Sequence, residues 1–141
     1  MSDNYSLIIK NGSCYIDGKF QKIDLALSGN KIKKVGKIDL NSSKVFDATG
    51  KIVLPGAIDT QVHFREPGAN DAENLESGSR AAVAGGITSV FEMPNTNPPT
   101  STFKEFNNKL SAARNRMFCN YAFYFGATPN NMKELASVNT L

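Results

Sequence analysis

The sequence predicts an α/β fold: the amino-terminal part of a TIM-type (β/α)8 barrel, preceded by a small, mostly antiparallel β-domain. Three observations predict it. Residues 1–54 are cut into short alternating runs by turn dipeptides. From Pro55 onward, strand signals recur near Ile58, Ser89 and Tyr121 with helix signals between them. The first two of these strands end in polar residues, where barrel enzymes gather their sites.

In chain order, Asn11-Gly12 divides a strand over Tyr5 to Lys10 from one over Ser13 to Ile16. Asp17-Gly18 and Gly29-Asn30 supply further turns. Such pairs tolerate the positive φ angles of two-residue hairpin turns. Ile23, Leu25 and Leu27 alternate with Asp24, Ala26 and Ser28, as in a half-buried strand. Ile32 with Val35, and Val45 with Phe46, suggest two more.

Beyond Pro55-Gly56 the pattern changes. The apolar run from Ile52 through Ile58 reads as a buried strand that turns polar at its far end, near Phe64. Asp71 to Ala84 reads as a helix closed by Gly85-Gly86, and Ile87 to Met93 as a strand. Thr102 and Glu105 have the spacing of a capping box. Phe103, Phe106, Leu110 and Ala113 would then form the apolar face of the helix they open. Phe118 to Gly126 is a third strand, and Thr128-Pro129 opens a third helix through Met132 and Leu135.

A strand period of about 30 residues is that of a βαβ unit, whose right-handed crossover makes successive strands parallel. An open doubly wound sheet has the same period, but no G-x-G-x-x-G follows the first strand. A whole barrel takes about 200–250 residues. Residues 55–141 suffice for three βα units, so the sequence reads as the amino-terminal part of a larger enzyme.

Composition narrows the function classes. Hydrophobic content of 40% and charged content of 21% are those of a globular, water-soluble chain. The net charge of +3 is spread along the sequence. Its densest basic cluster, Lys31, Lys33 and Lys34, reads as a solvated strand or turn, because nucleic-acid binding needs a broader stripe. Cys14 and Cys119 belong to no CxxC motif and read as free, buried thiols of a reducing compartment. No leader follows Met1, and no apolar run reaches the ~20 residues of a membrane span. The expectation is a cytoplasmic protein with neither a nucleic-acid nor a membrane partner.

The run Gln61-Val62-His63-Phe64-Arg65-Glu66-Pro67-Gly68 holds the only histidine of the chain. Gln61, His63 and Arg65 recur at every second position, and in an extended strand they share one face. A lone histidine is more often structural than a ligand. At a strand end, between an amide and a guanidinium, it can instead offer a neutral ring nitrogen to a metal. One imidazole does not complete a zinc site, which takes three or four protein ligands. Arg65 is either half of a salt bridge, with Glu66 or Asp71, or a planar fork for a substrate carboxylate. Asn95 either shapes the turn before Pro98-Pro99 or donates its amide hydrogens to the same anion.

Pro55-Gly56-Ala57-Ile58-Asp59 and Val62-His63-Phe64-Arg65-Glu66-Pro67-Gly68 resemble the start of a class I dihydroorotase of the amidohydrolase superfamily. The likeness continues through Glu76 to Ala82, Ala84 to Thr88, Met93-Pro94-Asn95-Thr96-Asn97-Pro98-Pro99-Thr100, and Tyr121 to Ala127. It divides the chain into a small β-domain, residues 1–54, and the first three βα units of an incomplete amidohydrolase barrel, residues 55–141. It implies reversible cyclisation of N-carbamoyl-L-aspartate to dihydroorotate, in pyrimidine biosynthesis, with zinc polarising the cyclic amide and activating water. By the same resemblance His63 is a metal ligand, Arg65 and Asn95 hold the substrate carboxylate, and the acid/base aspartate lies beyond Leu141. The family pattern is His-x-His, and Gln61 stands in its first place. A neutral amide oxygen holds zinc less tightly than imidazole. The alternatives are therefore a non-catalytic partner of aspartate transcarbamoylase, or a related cyclic amidohydrolase such as an allantoinase or hydantoinase. A homodimer or an aspartate transcarbamoylase complex is the expected assembly.

Overall fold

The computed structural model describes residues 5–39 and 44–138, and the chain divides into two compact units, Met1–Pro55 and Gly56–Leu141. The first unit contains β1 (Leu7–Lys10), β2 (Ser13–Ile16), β3 (Lys19–Lys22), β4 (Asp24–Ser28), β5 (Lys31–Gly36), β6 (Val45–Asp47) and β7 (Ile52–Val53). They form two sheets, ordered β5-β4-β1-β6 and β3-β2-β7, rather than one. Pairings β1–β4, β2–β3 and β4–β5 are antiparallel, and β1–β6 and β2–β7 are parallel.

Asp17-Gly18 closes the β2–β3 hairpin with both residues at positive φ, and Gly29-Asn30 joins β4 to β5. Asn11-Gly12 closes no hairpin, because β1 and β2 belong to different sheets. Asp24 secures the crossing by accepting hydrogen bonds from the Asn11 and Ile38 amides at 3.0 and 3.2 Å. Tyr5, Ile8, Ala26 and Ile38 form the core beside it. The basic cluster lies on β5 and is exposed.

The second unit contains β8 (Ala57–Val62), α1 (Leu75–Ala84), β9 (Ile87–Glu92), α2 (Phe103–Ala113), β10 (Asn120–Phe123) and α3 (Met132–Leu135). Its three strands are parallel, in the order β10-β9-β8. Ile52–Val53 does not run on into β8 but pairs with β2 in the first unit. β8 is an edge strand, Ile58 is 61% exposed and only Asp59 and Val62 are half-buried, so the expected buried strand is not buried in this unit.

Helix limits follow the caps. α1 begins after Asn74, later than Asp71, because Asn74 and Ser77 exchange side-chain-to-backbone bonds as a capping box. Gly85 closes it, donating to Ala81 and Ala82 carbonyls. α2 begins after Thr102, whose hydroxyl accepts from the Glu105 amide at 3.1 Å. α3 is shorter than expected. Thr128 does not cap it; the Thr128 amide donates to Asn131 Oδ1, and Asn131 Nδ2 donates to the Ser101 and Gly126 carbonyls.

The core of this unit is Phe64, Leu75, Val90, Ala113 and Phe123, with Val62, Phe106 and Met117 packed against it. On α2, Ala113 is buried and Phe106 reaches this core, but Phe103 and Leu110 are exposed. The buried polar position is Lys109, 2.5 Å from Glu92 on β9, and both side chains are 1% exposed. A Cβ at Gly78 of α1 would stand 2.4 Å from Phe64 Cδ1.

Glu66, just past β8, is held by three hydrogen bonds from two residues. The Leu75 amide donates to it at 2.9 Å, and Arg116 grips both of its oxygens at 2.7 and 3.0 Å. The Arg116 hydrogen bonds hold its carboxyl below the usual glutamate range, against the opposing effect of burial. A depressed carboxylate stabilises the fold above its ordinary pKa of about 4.3, and that stability is lost as pH falls toward the lower folded value.

Two stability measurements follow. Glu66→Gln should cost about 2–3 kcal/mol at neutral pH. That is below the ~3–5 kcal/mol of a fully buried broken pair, because Arg116 remains 34% exposed. The variant should also lose less stability than the parent between pH 5 and pH 3 in urea titrations; parallel acid limbs would show that Glu66 does not carry this dependence. Gly78→Ala should lower stability by a net of about 1–2 kcal/mol, read as a lower urea midpoint, since overpacking against Phe64 outweighs the gain in helix propensity. An unchanged midpoint would mean that the ring moves freely aside.

Candidate active site

The polar strand end is built by a change of parity in β8. Asp59 pairs with Val90, but Val62 pairs with Glu92, so three steps on β8 match two on β9. This is a β-bulge, which re-aims the side chains beyond it. Asp59 supports it by accepting the Gln61 amide at 2.9 Å. Val62 and Phe64 consequently both face the helix-side core. His63, between them, emerges on the opposite face.

The alternation expected for Gln61, His63 and Arg65 does not persist. The strand ends at Val62, and Arg65 takes φ +58°, a conformation unusual for a non-glycine residue. The Glu66 amide reaches back to the Phe64 carbonyl at 2.7 Å, and the Ala69 amide to that of Arg65 at 2.9 Å. With Glu66 locked by Leu75 and Arg116, the turn has little freedom to relax. Its guanidinium stays exposed and, among the described residues, has no carboxylate partner. Glu66, the nearest in sequence, is committed to Arg116.

Asn95 is brought to the same strand end. The Met93 amide donates to the Val62 carbonyl at 3.0 Å, and His63 Nδ1 lies 2.9 Å from Asn95 Oδ1. The loop beyond is tied internally by Thr100 N–H to the Pro94 carbonyl and by Thr96 Oγ1 to the Pro98 carbonyl, both 2.9 Å. It is tied to the Arg65 loop by the Asn97 amide on the Pro67 carbonyl, 3.0 Å. Gly68, at φ +111°, lets the two loops touch; a Cβ there would stand 2.6 Å from the Asn97 carbonyl oxygen.

Among the described residues no hydrogen bond links Gln61 to this pair. Gln61 lines a hollow with Thr60, Met93, Pro94, Tyr124 and Phe125. Tyr124 closes one side by donating its hydroxyl to the Thr60 carbonyl at 3.1 Å. Among the described residues, no group of three or more His, Cys, Asp or Glu is placed to hold a metal ion. The donor set therefore fits zinc in part. His63 has one ring nitrogen engaged by Asn95 and one open, as a metal-bound imidazole requires, and it would need ligands from elsewhere.

Two participants escape the sequence patterns. Glu92 and Lys109 lie beneath the site on the helix-covered side, and burial raises the Glu92 carboxyl despite the attraction of Lys109. Glu92 Oε1 completes no hydrogen bond, although the Phe64 amide lies close enough to favour the charged form. A carboxylate inside the apolar run Ile87 to Met93 was the available signal. Cys14 is buried and Cys119 only partly so; both are free, and burial raises both thiols. No helix among the described residues is long and apolar enough to cross a membrane.

Comparison with known proteins places this geometry. The chain is 42% identical over 131 residues to a dihydroorotase of Methanosarcina mazei, covering 90% of this chain and 29% of that protein. It is 38% identical over 134 residues to an allantoinase of Desulfitobacterium hafniense, covering 94% of this chain and 30% of that one. An L-hydantoinase (dihydropyrimidinase) from Arthrobacter aurescens superposes with a TM-score of 0.84 at 31% identity, over 93% of this chain and 30% of that structure. The chain thus spans less than a third of the length of these relatives and has the α/β fold of the corresponding part of a TIM-barrel amidohydrolase. The sequence pattern of the amidohydrolase family matches residues 52–139, so the strand-end site lies wholly within the matched segment, and the chain belongs to the amidohydrolase family.

Proposed function

We propose that this chain is the amino-terminal part of a zinc-dependent dihydroorotase, acting on dihydroorotate and N-carbamoyl-L-aspartate in pyrimidine biosynthesis, in the cytoplasm. The observation that carries the reading is the uncommitted Arg65 guanidinium, held in a constrained turn at the strand end that bears the His63–Asn95 pair. The similarity to dihydroorotases at 42% identity supports it. Exposed, unpaired and fork-shaped, Arg65 suits a carboxylate, which dihydroorotate has and simple cyclic amides lack. Asn95, paired with His63 at the same strand end, has amide hydrogens with no partner among the described residues.

In this reading zinc, when bound, polarises the cyclic amide and activates the attacking water. The chain's own residues then bind and orient. His63 supplies one ligand nitrogen, Arg65 and Asn95 grip the substrate carboxylate, and the interlocked loops fix the distance between them. Gln61 offers at most a weak oxygen donor. Catalytic acid/base groups come from parts of the protein outside these residues.

Gln61, standing in place of a histidine, favours a second reading. In it the protein is a non-catalytic dihydroorotase-like partner of aspartate transcarbamoylase. The two readings separate in an assay of dihydroorotate hydrolysis by the protein that carries this chain, with zinc supplied. Turnover is expected. Its absence, together with loss of metal on dialysis and co-purification with aspartate transcarbamoylase, would favour the partner.

Substrate choice gives a sharper outcome. Arg65→Met should lower kcat/KM for dihydroorotate about 10–100-fold, the worth of a charge-assisted hydrogen-bonded grip. Hydrolysis of uncharged hydantoin or allantoin should change little. Equal losses on charged and uncharged rings would make Arg65 a structural residue.

A further inference from the structure

We infer that Asn95 is a positioning residue for His63: its Oδ1 accepts the Nδ1 proton, fixing the tautomer that leaves Nε2 bare. The reading above gives Asn95 only to the substrate. The structure gives its side chain two ends with separate work. The amide oxygen lies 2.9 Å from His63 Nδ1, and Nδ2 has no partner among the described residues.

An amide can meet a neutral imidazole in two ways. Its oxygen accepts from a protonated Nδ1, or its NH2 donates to a bare Nδ1. The first leaves the lone pair of Nε2 bare and keeps the two Nδ2 hydrogens available to an anion. The second puts a proton on Nε2 and the carbonyl oxygen, an acceptor, where an anion would approach. Only the first serves a metal and a carboxylate together. In histidines bound to metal, the hydrogen bond at one ring nitrogen selects which nitrogen coordinates.

The surroundings make this an alignment rather than a chance approach. His63 reaches its face because of the bulge at Asp59 to Val62. Asn95 is tethered on one side by the Met93 amide on the Val62 carbonyl and on the other by the Asn97 amide on the Pro67 carbonyl. Both partners are therefore held from the backbone, on neighbouring strand ends.

The inference rests on the dihydroorotase reading for the metal and the substrate carboxylate; the tautomer is a property of the chain itself. Because His63 is the only histidine, long-range 15N–1H correlation spectra of the labelled, metal-free chain report it without ambiguity. In the neutral ring, Nδ1 is expected to be protonated and Nε2 bare. A proton on Nε2 in the unsubstituted chain overturns the inference without any variant. Asn95→Ala should return the ring toward the Nε2–H tautomer that free histidine favours and, in the protein that carries this chain, should weaken zinc binding about 10–100-fold in competition with a chelator. An unchanged tautomer, or unchanged zinc affinity, overturns it. Asn95→Asp keeps an acceptor oxygen. It should retain the tautomer and zinc while raising KM for dihydroorotate, because it places a carboxylate beside the substrate's own. Loss of the tautomer in this variant counts against the inference, and it still decides if the alanine variant fails to fold. Absence of dihydroorotate turnover with the Nδ1–H tautomer intact would sink the enzyme reading and leave this one standing.

Discussion

The second unit depends on one carboxylate. Glu66 binds the first turn of α1 through the Leu75 amide and the end of α2 through Arg116, while its own backbone turns back onto Phe64. Two distant stretches of chain are thereby fixed to the point where β8 stops. Charge-assisted bonds of this kind are roughly twice as strong as neutral ones, and here they do two tasks. They anchor the helices to the sheet, and they keep Arg65 in a conformation that a free chain would leave. By occupying Glu66, Arg116 also denies Arg65 its nearest counter-ion.

The sheet divides the labour between its faces. Toward the helices it presents Val62, Phe64, Val90 and Phe123, with the Glu92–Lys109 pair sealed among them. Buried pairs add little net stability, but losing either partner strands a charge. That makes the pair a constraint on register: α2 cannot slide along β9 without breaking it. Toward the other side the same sheet presents His63. A residue can be rigid and accessible together when its backbone belongs to the locked face and its side chain to the open one.

Much of this was legible in the sequence, for definite reasons. Thr102 with Glu105, and Gly85 with Gly86, carry their helix ends in their own chemistry, so spacing alone located them. The strand period located β8, β9 and β10, because a βαβ crossover has a nearly fixed length. The candidate residues His63, Arg65 and Asn95 stood out as polar groups at the ends of apolar runs. What could not be read depended on partners distant in sequence. Asn11-Gly12 has hairpin chemistry, but the strands on either side pair elsewhere. Lys109 reads as a solvent residue until Glu92 is opposite it. The shared face of Gln61, His63 and Arg65 assumed an unbroken strand, whereas the Asp59 side chain supports a bulge one turn of the pleat earlier. Asp59 was a visible hint, being a poor strand former whose oxygen bonds its own backbone.

The contact between Gly68 and Asn97 has an evolutionary consequence. With a Cβ excluded at position 68 by the neighbouring loop, neither loop can change shape alone, and the pieces that present Arg65 and Asn95 are inherited as one block. Descendants that acquire a different ring-shaped substrate would be expected to diversify around this block, leaving its geometry as an heirloom.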